Sequence, residues 1–292
     1  LHVTVAVATA GRRETTSGLL AYLSRQERRP DLVAICPASP ADIDTAACEG
    51  AGLPLRVITG PKGLTSQRNA LLEAVGDTDL IVFFDDDFVP AADYLRQCEW
   101  VFEQHPDVVM LTGAVIADGI LGPGLTPADA ERCLAGDRPP ARPGLTEVYN
   151  GYGCNMAVRA SVVRATGLRF DETLPLYGWL EDVDFSRGLA AHGRIVNSDA
   201  CRGVHMGVKR GRTSGVKLGY SQVANPLYLA RKGRMTPRRA LVQMARNIAQ
   251  NCARAWRPEP WVDRRGRLQG NMRAFSDLVS GKLTPTEILN LP

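Results

Sequence analysis

The 292-residue chain has no run of eighteen apolar residues, so no segment is expected to cross a membrane as a helix. Residues 1–10 read as a strand rather than a secretory signal, and a start at Leu1 instead of Met is what a trimmed or processed chain would show. The seven cysteines include no CxxC pair. Their odd number and apolar settings argue for reduced cytosolic thiols and against a disulfide frame or a zinc site. After the first apolar segment the chain reads Ala8-Thr9-Ala10-Gly11-Arg12-Arg13, without the glycine spacing of a dinucleotide fingerprint. Gly60-Pro61-Lys62-Gly63 has the wrong spacing for a Walker loop. Acidic residues are scarce in one region. Residues 206–273 hold 16 Lys and Arg against only Glu259 and Asp263, a charge of +14, while the rest of the chain carries −10. Two regions with different partners follow from that asymmetry.

The composition is that of a globular protein, 45% hydrophobic and 23% charged, and long enough for one large domain or a domain with an appendage. One stretch organises it. Leu80-Ile81-Val82-Phe83-Phe84 reads as a strand buried on both faces, and it empties into Asp85-Asp86-Asp87. A buried strand does not tolerate that charge, so the triplet belongs past the strand's carboxyl end, where open α/β sheets bind ligands. Clustered carboxylates there suit a hard cation such as Mg²⁺ or Mn²⁺. The competing reading is an acidic, solvated turn.

Apolar segments at 3–9, 32–36, 55–59 and 79–84 alternate with helical patterns near 13–27, 42–50 and 65–75, which specifies βαβ units and a mostly parallel sheet. A helix over 91–104 and a strand over 108–117 come next. Residues 118–146, rich in Gly and Pro, form either a mobile insertion near the site or an irregular surface loop, with a short helix near 127–134. A loop from Gly151 leads into a strand, and 160–166 reads as a short helix. Glu181, Asp182 and Asp184 open another helix, where acids complement the dipole; Asp184 needs no further role.

The order Gly63…Gln67-Arg68-Asn69, Phe84-Asp85-Asp86-Asp87, Asn155-Met156-Ala157-Val158-Arg159, Phe170-Asp171-Glu172, Glu181-Asp182-Val183-Asp184-Phe185 and His205 resembles the inverting glycosyltransferases of family 2, over roughly residues 3–207. The resemblance implies a GT-A fold, in which a nucleotide-sugar half (1–117) and an acceptor half (118–215) share one sheet, followed here by a helical basic region (216–292). It also implies a divalent metal, a nucleotide-diphosphate sugar donor and single-displacement transfer to a glycan or lipid-linked acceptor. Asp85 and Asp87 match the DxD pair; the second coordinates the metal and the first helps hold the donor's ribose or sugar. Asp86 assists between them, and His205 is a further metal ligand. Asp182 matches the general base and Glu181 steadies it or touches the acceptor. An Asp near its reference pKa of about 3.9 is already ionised at neutral pH.

Trp179 is either a platform for a sugar face or a core residue, and Gly153 and Asn155 join it as acceptor-side candidates. Lys209, Arg210 and Arg212 form either a basic loop over the diphosphate or a solvated one. Thr9, Arg12 and Arg68 are nucleotide candidates, with surface or capping roles as the alternative. Relatives with Asp-Asp-Gly-Ser after the second strand read uracil with its first Asp. Here Cys36-Pro37-Ala38-Ser39 keeps only Ser39, which leaves dTDP and GDP open, while the family resemblance favours UDP.

Residues 220–255 hold two helical patterns split by 233–237, and Trp256 and Trp261 bracket Pro258-Glu259-Pro260. These helices either lie on an anionic bilayer, at the inner face of the cell membrane, or pack on the catalytic domain. Residues 284–287 start a short capped helix. A sugar-phosphate nucleotidyltransferase would need a glycine-rich basic loop after the first strand, which 10–13 match poorly. A nucleic-acid module using the basic tail lacks an aromatic-interleaved motif, so no nucleic-acid partner is expected.

Overall fold

The computed structural model describes residues 1–138, 140, 144–210 and 213–292. Among them nine strands, β1 (Val3–Thr9), β2 (Leu32–Pro37), β3 (Leu55–Val57), β4 (Leu80–Asp85), β5 (Phe88–Pro90), β6 (Val108–Asp118), β7 (Leu145–Glu147), β8 (Asn155–Arg159) and β9 (Arg194–His205), build one sheet. Its order is β3-β2-β1-β4-β8-β6-β9-β5, with β7 also on β9. The pairs β2–β3, β1–β2, β1–β4 and β6–β9 are parallel, whereas β8, β5 and β7 run against their neighbours. The sheet is therefore mixed and mostly parallel, as the alternation of apolar and helical segments requires.

The helices are α1 (Arg13–Ser24), α2 (Thr45–Gly50), α3 (Leu64–Ala74), α4 (Tyr94–Gln104), α5 (Pro127–Gly136), α6 (Ala160–Thr166), α7 (Glu181–Leu189), α8 (Gly215–Arg231), α9 (Pro237–Arg254) and α10 (Arg264–Val279). Strand β4 shows why its sequence is apolar throughout. Leu80, Val82 and Phe84 join a core with Leu19 and Leu23 of α1 and Leu95 and Phe102 of α4. Ile81 and Phe83 point the other way, to Leu71 of α3 and Phe185 of α7. Each such side chain stabilises the fold by roughly 1.5–3 kcal/mol on burial.

Strand direction decides where the polar strand ends gather. Because β1, β4, β6 and β9 run the same way, their last residues meet at one rim. Ala8 pairs with Asp85 there, and Asp118 pairs with His205. Strand β5, absent from the sequence reading, turns the chain back after the Asp triplet and pairs Phe88 with His205.

The C-terminal helices pack on this body. Leu229 of α8 shares a cluster with Leu174, Leu180 and Val183 beside the start of α7. Helix α10, also absent from the sequence reading, crosses α8 at glycine contacts. A Cβ on Gly219 would stand 2.0 Å from the Arg267 carbonyl oxygen, and one on Gly270 2.0 Å from that of Val216. Only glycine permits that approach. Thr284 precedes a 3₁₀ turn over Pro285–Leu289, at the place of the expected short capped helix. Among the described residues no helix is long and apolar enough to cross a membrane.

Candidate active site

Asp85 is the last residue of β4, and Asp86 and Asp87 form the turn into β5. The three carboxylates diverge. Asp86 turns back to the β1–α1 junction, accepting from Thr9 Oγ1 at 2.7 Å and from Arg12 Nη1 at 2.8 Å. Burial and the neighbouring Asp87 charge push its carboxyl above the usual range, against the pull of Arg12. Asp87 is 1% exposed, and its Oδ2 accepts from the Val208 backbone N–H at 2.8 Å. Burial opposes its charge, yet His205, Arg12 and that N–H together hold it down to about 2.

Asp87 Oδ1 is buried without a hydrogen-bond partner and lies 3.5 Å from His205 Nε2. One ligand atom from each of Asp85, Asp87 and His205 falls within 4.8 Å of the others, the one such group among the described residues. His205 is aimed from behind. Its Nδ1 meets Asp118 Oδ1 at 2.9 Å and the Tyr152 hydroxyl at 3.3 Å, which leaves Nε2 facing the aspartates. Burial opposes a charged imidazole, but the carboxylates of Asp118, Asp87 and Asp85 outweigh it and raise its pKa to about 10. A buried orphan oxygen, a second carboxylate and a carboxylate-backed imidazole form a donor set that fits Mn²⁺ or Mg²⁺. Asp118 and Tyr152 escape the sequence reading; the only signal is an acid just past an apolar strand, as at Asp85.

Arg68 joins the two acidic clusters. It is 2% exposed and donates to Asp85 Oδ1 at 3.1 Å, to the Gly153 carbonyl at 2.8 Å and to Glu181 Oε1. Its guanidinium also lies over the rings of Phe83 and Phe170, at 5.6 and 5.3 Å. Expected to touch nucleotide, it is instead enclosed within the protein. Burial and the adjacent Asp182 charge push Glu181 well above its usual range despite Arg68.

Asp182 follows Glu181 in the first turn of α7 and accepts from the Gly153 N–H at 3.2 Å and its neighbour Val183 N–H at 2.8 Å. Burial raises its pKa, with the backbone donors and Arg68 opposing. The ordinary aspartate pKa expected from sequence is thus corrected, because the carboxylate sits in a desolvated corner. The backbone before it is strained: Leu176 and Leu180 adopt φ of 59° and 75°. Such conformations in branched residues cost about 1–3 kcal/mol and need support from their surroundings. Between them the segment carries Tyr177 and Trp179 to the cavity.

That cavity has two lobes sharing Arg12, Asp85, Tyr177, Thr213 and Ser214. The smaller, about 370 Å³, is lined by Thr9, Lys62, Gln67, Asp86 and Lys217 among others. Gln67, also unforeseen, donates to the carbonyls of Thr9 and Cys36 and so holds the ends of β1 and β2 together. The larger, about 750 Å³, opens between Asp85, Asp87, His205 and Lys209 on one side and α8–α10 on the other, with Trp179 on its wall.

Not every expected residue reaches it. The Asn155 side chain is fully buried between Thr112 and the Gly113 carbonyl, inside the sheet, which corrects its acceptor-side placement. Ser39 caps the 3₁₀ turn over Pro40–Asp42 and lines neither lobe. Lys209 Nζ donates to the Gly119 and Ile120 carbonyls at 2.9 Å, and Arg210 is exposed, its carbonyl accepting from Arg12 Nε. Arg212 lies outside the described residues. Glu181 and Gly153 are buried and Asp182 is half-buried; none of the three lines either lobe, and Arg68 ties Glu181 and Gly153 to Asp85, which does. Asp184 does more than complement a dipole, since Lys232 of the loop after α8 bridges it to Asp171, at 2.7 and 2.6 Å.

No protein-family model matches the chain, and no curated protein matches it. Solved structures do. S. aureus TarS 1–349 in complex with UDP-GlcNAc is 13% identical with a TM-score of 0.59, over 96% of this chain and 81% of that one; a longer TarS structure is spanned only to 40%. GalNAc-T7 with UDP, GalNAc and Mn²⁺ is 13% identical with a TM-score of 0.58, over 97% of this chain and 59% of that one. The mannosyltransferase PcManGT from Pyrobaculum calidifontis, in complex with GDP-Man and Mn²⁺, is 15% identical with a TM-score of 0.53, over 99% and 85%. The fold of this chain is the GT-A fold of glycosyltransferase structures.

Proposed function

We propose that the chain is an inverting glycosyltransferase that moves a sugar from a nucleotide-diphosphate donor, UDP-linked in the first instance, to an acceptor hydroxyl. The observation that carries this reading is the convergence of Asp85, His205 and Asp87, whose buried Oδ1 has no hydrogen-bond partner, at the rim of the sheet beside a two-lobed cavity. The smaller lobe takes the nucleoside beside Thr9 and Gln67, and the larger takes the sugar and its acceptor. Asp85, Asp87 and His205 hold a divalent metal, which when bound neutralises charge developing on the departing diphosphate. Asp182 accepts the proton of the attacking hydroxyl as its oxygen bonds the anomeric carbon and the bond to the diphosphate breaks. Attack opposite the leaving group inverts that centre without a covalent intermediate. Glu181 and Arg68 keep Asp182 and Asp85 in fixed relation.

Uridine nucleotides in TarS and GalNAc-T7 support UDP, and GDP-Man in PcManGT keeps GDP in the test. Assembly of polysaccharide or glycolipid is the role this chemistry fits. The outward face of the tail, with Trp256 86% exposed among arginines, is suited to an anionic lipid surface. The test is calorimetric titration with UDP, dTDP, GDP and ADP, each with and without Mn²⁺. Selective, metal-dependent binding of one nucleotide is expected. Failure of all four to bind folded protein overturns the reading.

A further inference from the structure

The larger lobe has two unlike walls. One carries Asp85, Asp87 and His205. The other is helical and carries Gln222 of α8, Asn247, Gln250 and Arg254 of α9, Arg267 of α10, and Trp261 from the α9–α10 connection. The function proposed above uses only the first wall.

The second wall is built, not incidental. Behind it Asn251, fully buried, donates to Gln222 Oε1 at 2.8 Å and Asn271 Oδ1 at 2.9 Å and accepts from Arg264 Nη1 at 3.2 Å. Arg264 also holds Glu259 through two hydrogen bonds, and Glu259 accepts from Arg254 in turn. This chain of bonds joins α8, α9 and α10 and sets Gln222 and Arg254 before any ligand arrives, which lowers the entropic cost of binding. The wall is also fixed to the segment that leads into α7. Asn225 of α8 donates to the Trp179 carbonyl at 2.7 Å, and Tyr228 donates to Asp171 at 2.7 Å.

Its chemistry is specific. Amides offer paired donors and acceptors to hydroxyl groups, and an indole offers a face to a sugar ring. Three guanidiniums, of Arg254, Arg264 and Arg267, stand against two carboxylates, of Glu259 and Asp263. The Arg254 side chain is 52% exposed, so its remaining donors reach solvent in the lobe. An arginine fork matches phosphate or carboxylate. Once the two aspartates opposite are neutralised by a cation, the lobe is left positive.

We propose that this helical wall is the acceptor subsite, and that the acceptor is a polyhydroxylated molecule bearing an anionic group, phosphate or carboxylate. The inference rests on the transferase reading. It is tested on the full chain saturated with UDP and Mn²⁺, titrated calorimetrically with glucose 6-phosphate, glucuronate and glucose. The anionic sugars are expected to bind, the stronger of the two naming the group, with glucose at least about tenfold weaker for want of the charged contact. Arg254→Gln should weaken the anionic sugars about tenfold, and Trp261→Ala should weaken all three, with UDP affinity unchanged in both. Equal binding of glucose, no binding of either anionic sugar, or unchanged affinity in Arg254→Gln overturns the proposal. A fall in UDP affinity in Arg254→Gln also overturns it, by assigning the arginine to the donor. Failure of the unaltered protein to bind UDP with Mn²⁺ is a separate result, which removes the transferase reading itself.

Discussion

Asp118 should govern metal affinity without touching the metal. Its Oδ1 meets His205 Nδ1 at 2.9 Å and accepts from the Ile120 N–H at 2.9 Å, while Oδ2 accepts from the Tyr152 hydroxyl at 3.0 Å. Asp118→Asn keeps this shape and removes the charge that fixes the imidazole's orientation and raises its basicity as a ligand. Loss of such a supporting carboxylate typically costs tenfold to a hundredfold in metal affinity, roughly 1.4–2.7 kcal/mol. The assay is calorimetric titration of Mn²⁺ into protein with and without UDP at fixed pH, with thermal unfolding as the folding control. Tyr152→Phe removes only a hydroxyl 3.3 Å from the ring and should cost less, about 0.5–1.5 kcal/mol at most. An unchanged Mn²⁺ dissociation constant in folded Asp118→Asn would refute the assignment of His205 as a supported ligand.

Asp182→Asn should lower kcat by about 10²–10⁴-fold while UDP–Mn²⁺ affinity stays level; retained turnover removes Asp182 as the base. Because burial raises the Asp182 pKa and only the deprotonated form accepts a proton, kcat should fall on the acid side at a higher pH than an ordinary aspartate near 3.9 allows; a profile flat to about pH 4 contradicts this. Arg68→Met leaves Glu181 and Asp85 without their shared buried cation and should destabilise the fold by about 3–5 kcal/mol in denaturant titrations, against no change if the cluster is incidental. Lys232→Met should cost about 2 kcal/mol, less than a fully buried pair because the lysine is 29% exposed. Asp171 is held down to about 2 in the fold, against burial, by Lys232 and Tyr228, so its contribution is present above its unfolded pKa and lost as pH falls toward 2; that acid sensitivity should shrink in Lys232→Met.

The legible parts of this chain are those governed by local pattern. β4 announces itself because burial on both faces demands five apolar residues, and the Asp triplet announces the rim because a buried strand cannot hold it. Parts that depend on long-range register stay hidden. Asp118 supports His205 only because β6 and β9 pair in parallel with those two residues opposite, 87 positions apart. Arg68 reads as a helix surface residue until α7 places Glu181 against it. Asn155 reads as an acceptor-side residue, yet its side chain is fully buried against Thr112 and the Gly113 carbonyl of the neighbouring strand. Helix α10 stays hidden for a physical reason too: Gly266 and Gly270 lower its helix propensity by about 1 kcal/mol each, and Gly270 is there because α8 passes too close for a side chain.

The charge asymmetry has an answer in the packing. A tail of +14 beside a remainder of −10 reads as two regions with separate partners, but part of the tail's charge is matched by the remainder itself. Lys232 bridges Asp171 and Asp184, Arg234 lies 3.7 Å from Asp184, and Lys209 caps the carbonyls of Gly119 and Ile120. These contacts cluster beside α7 and the sheet rim, where the remainder of the chain concentrates its acids. The outer arginines of α9, Arg238 and Arg246, are exposed. Those facing inward, chiefly Arg254 and, on α10, Arg267, meet the cavity instead. One segment can therefore complete the site on its inner face and present charge on its outer face, because a helix separates the two by half a turn.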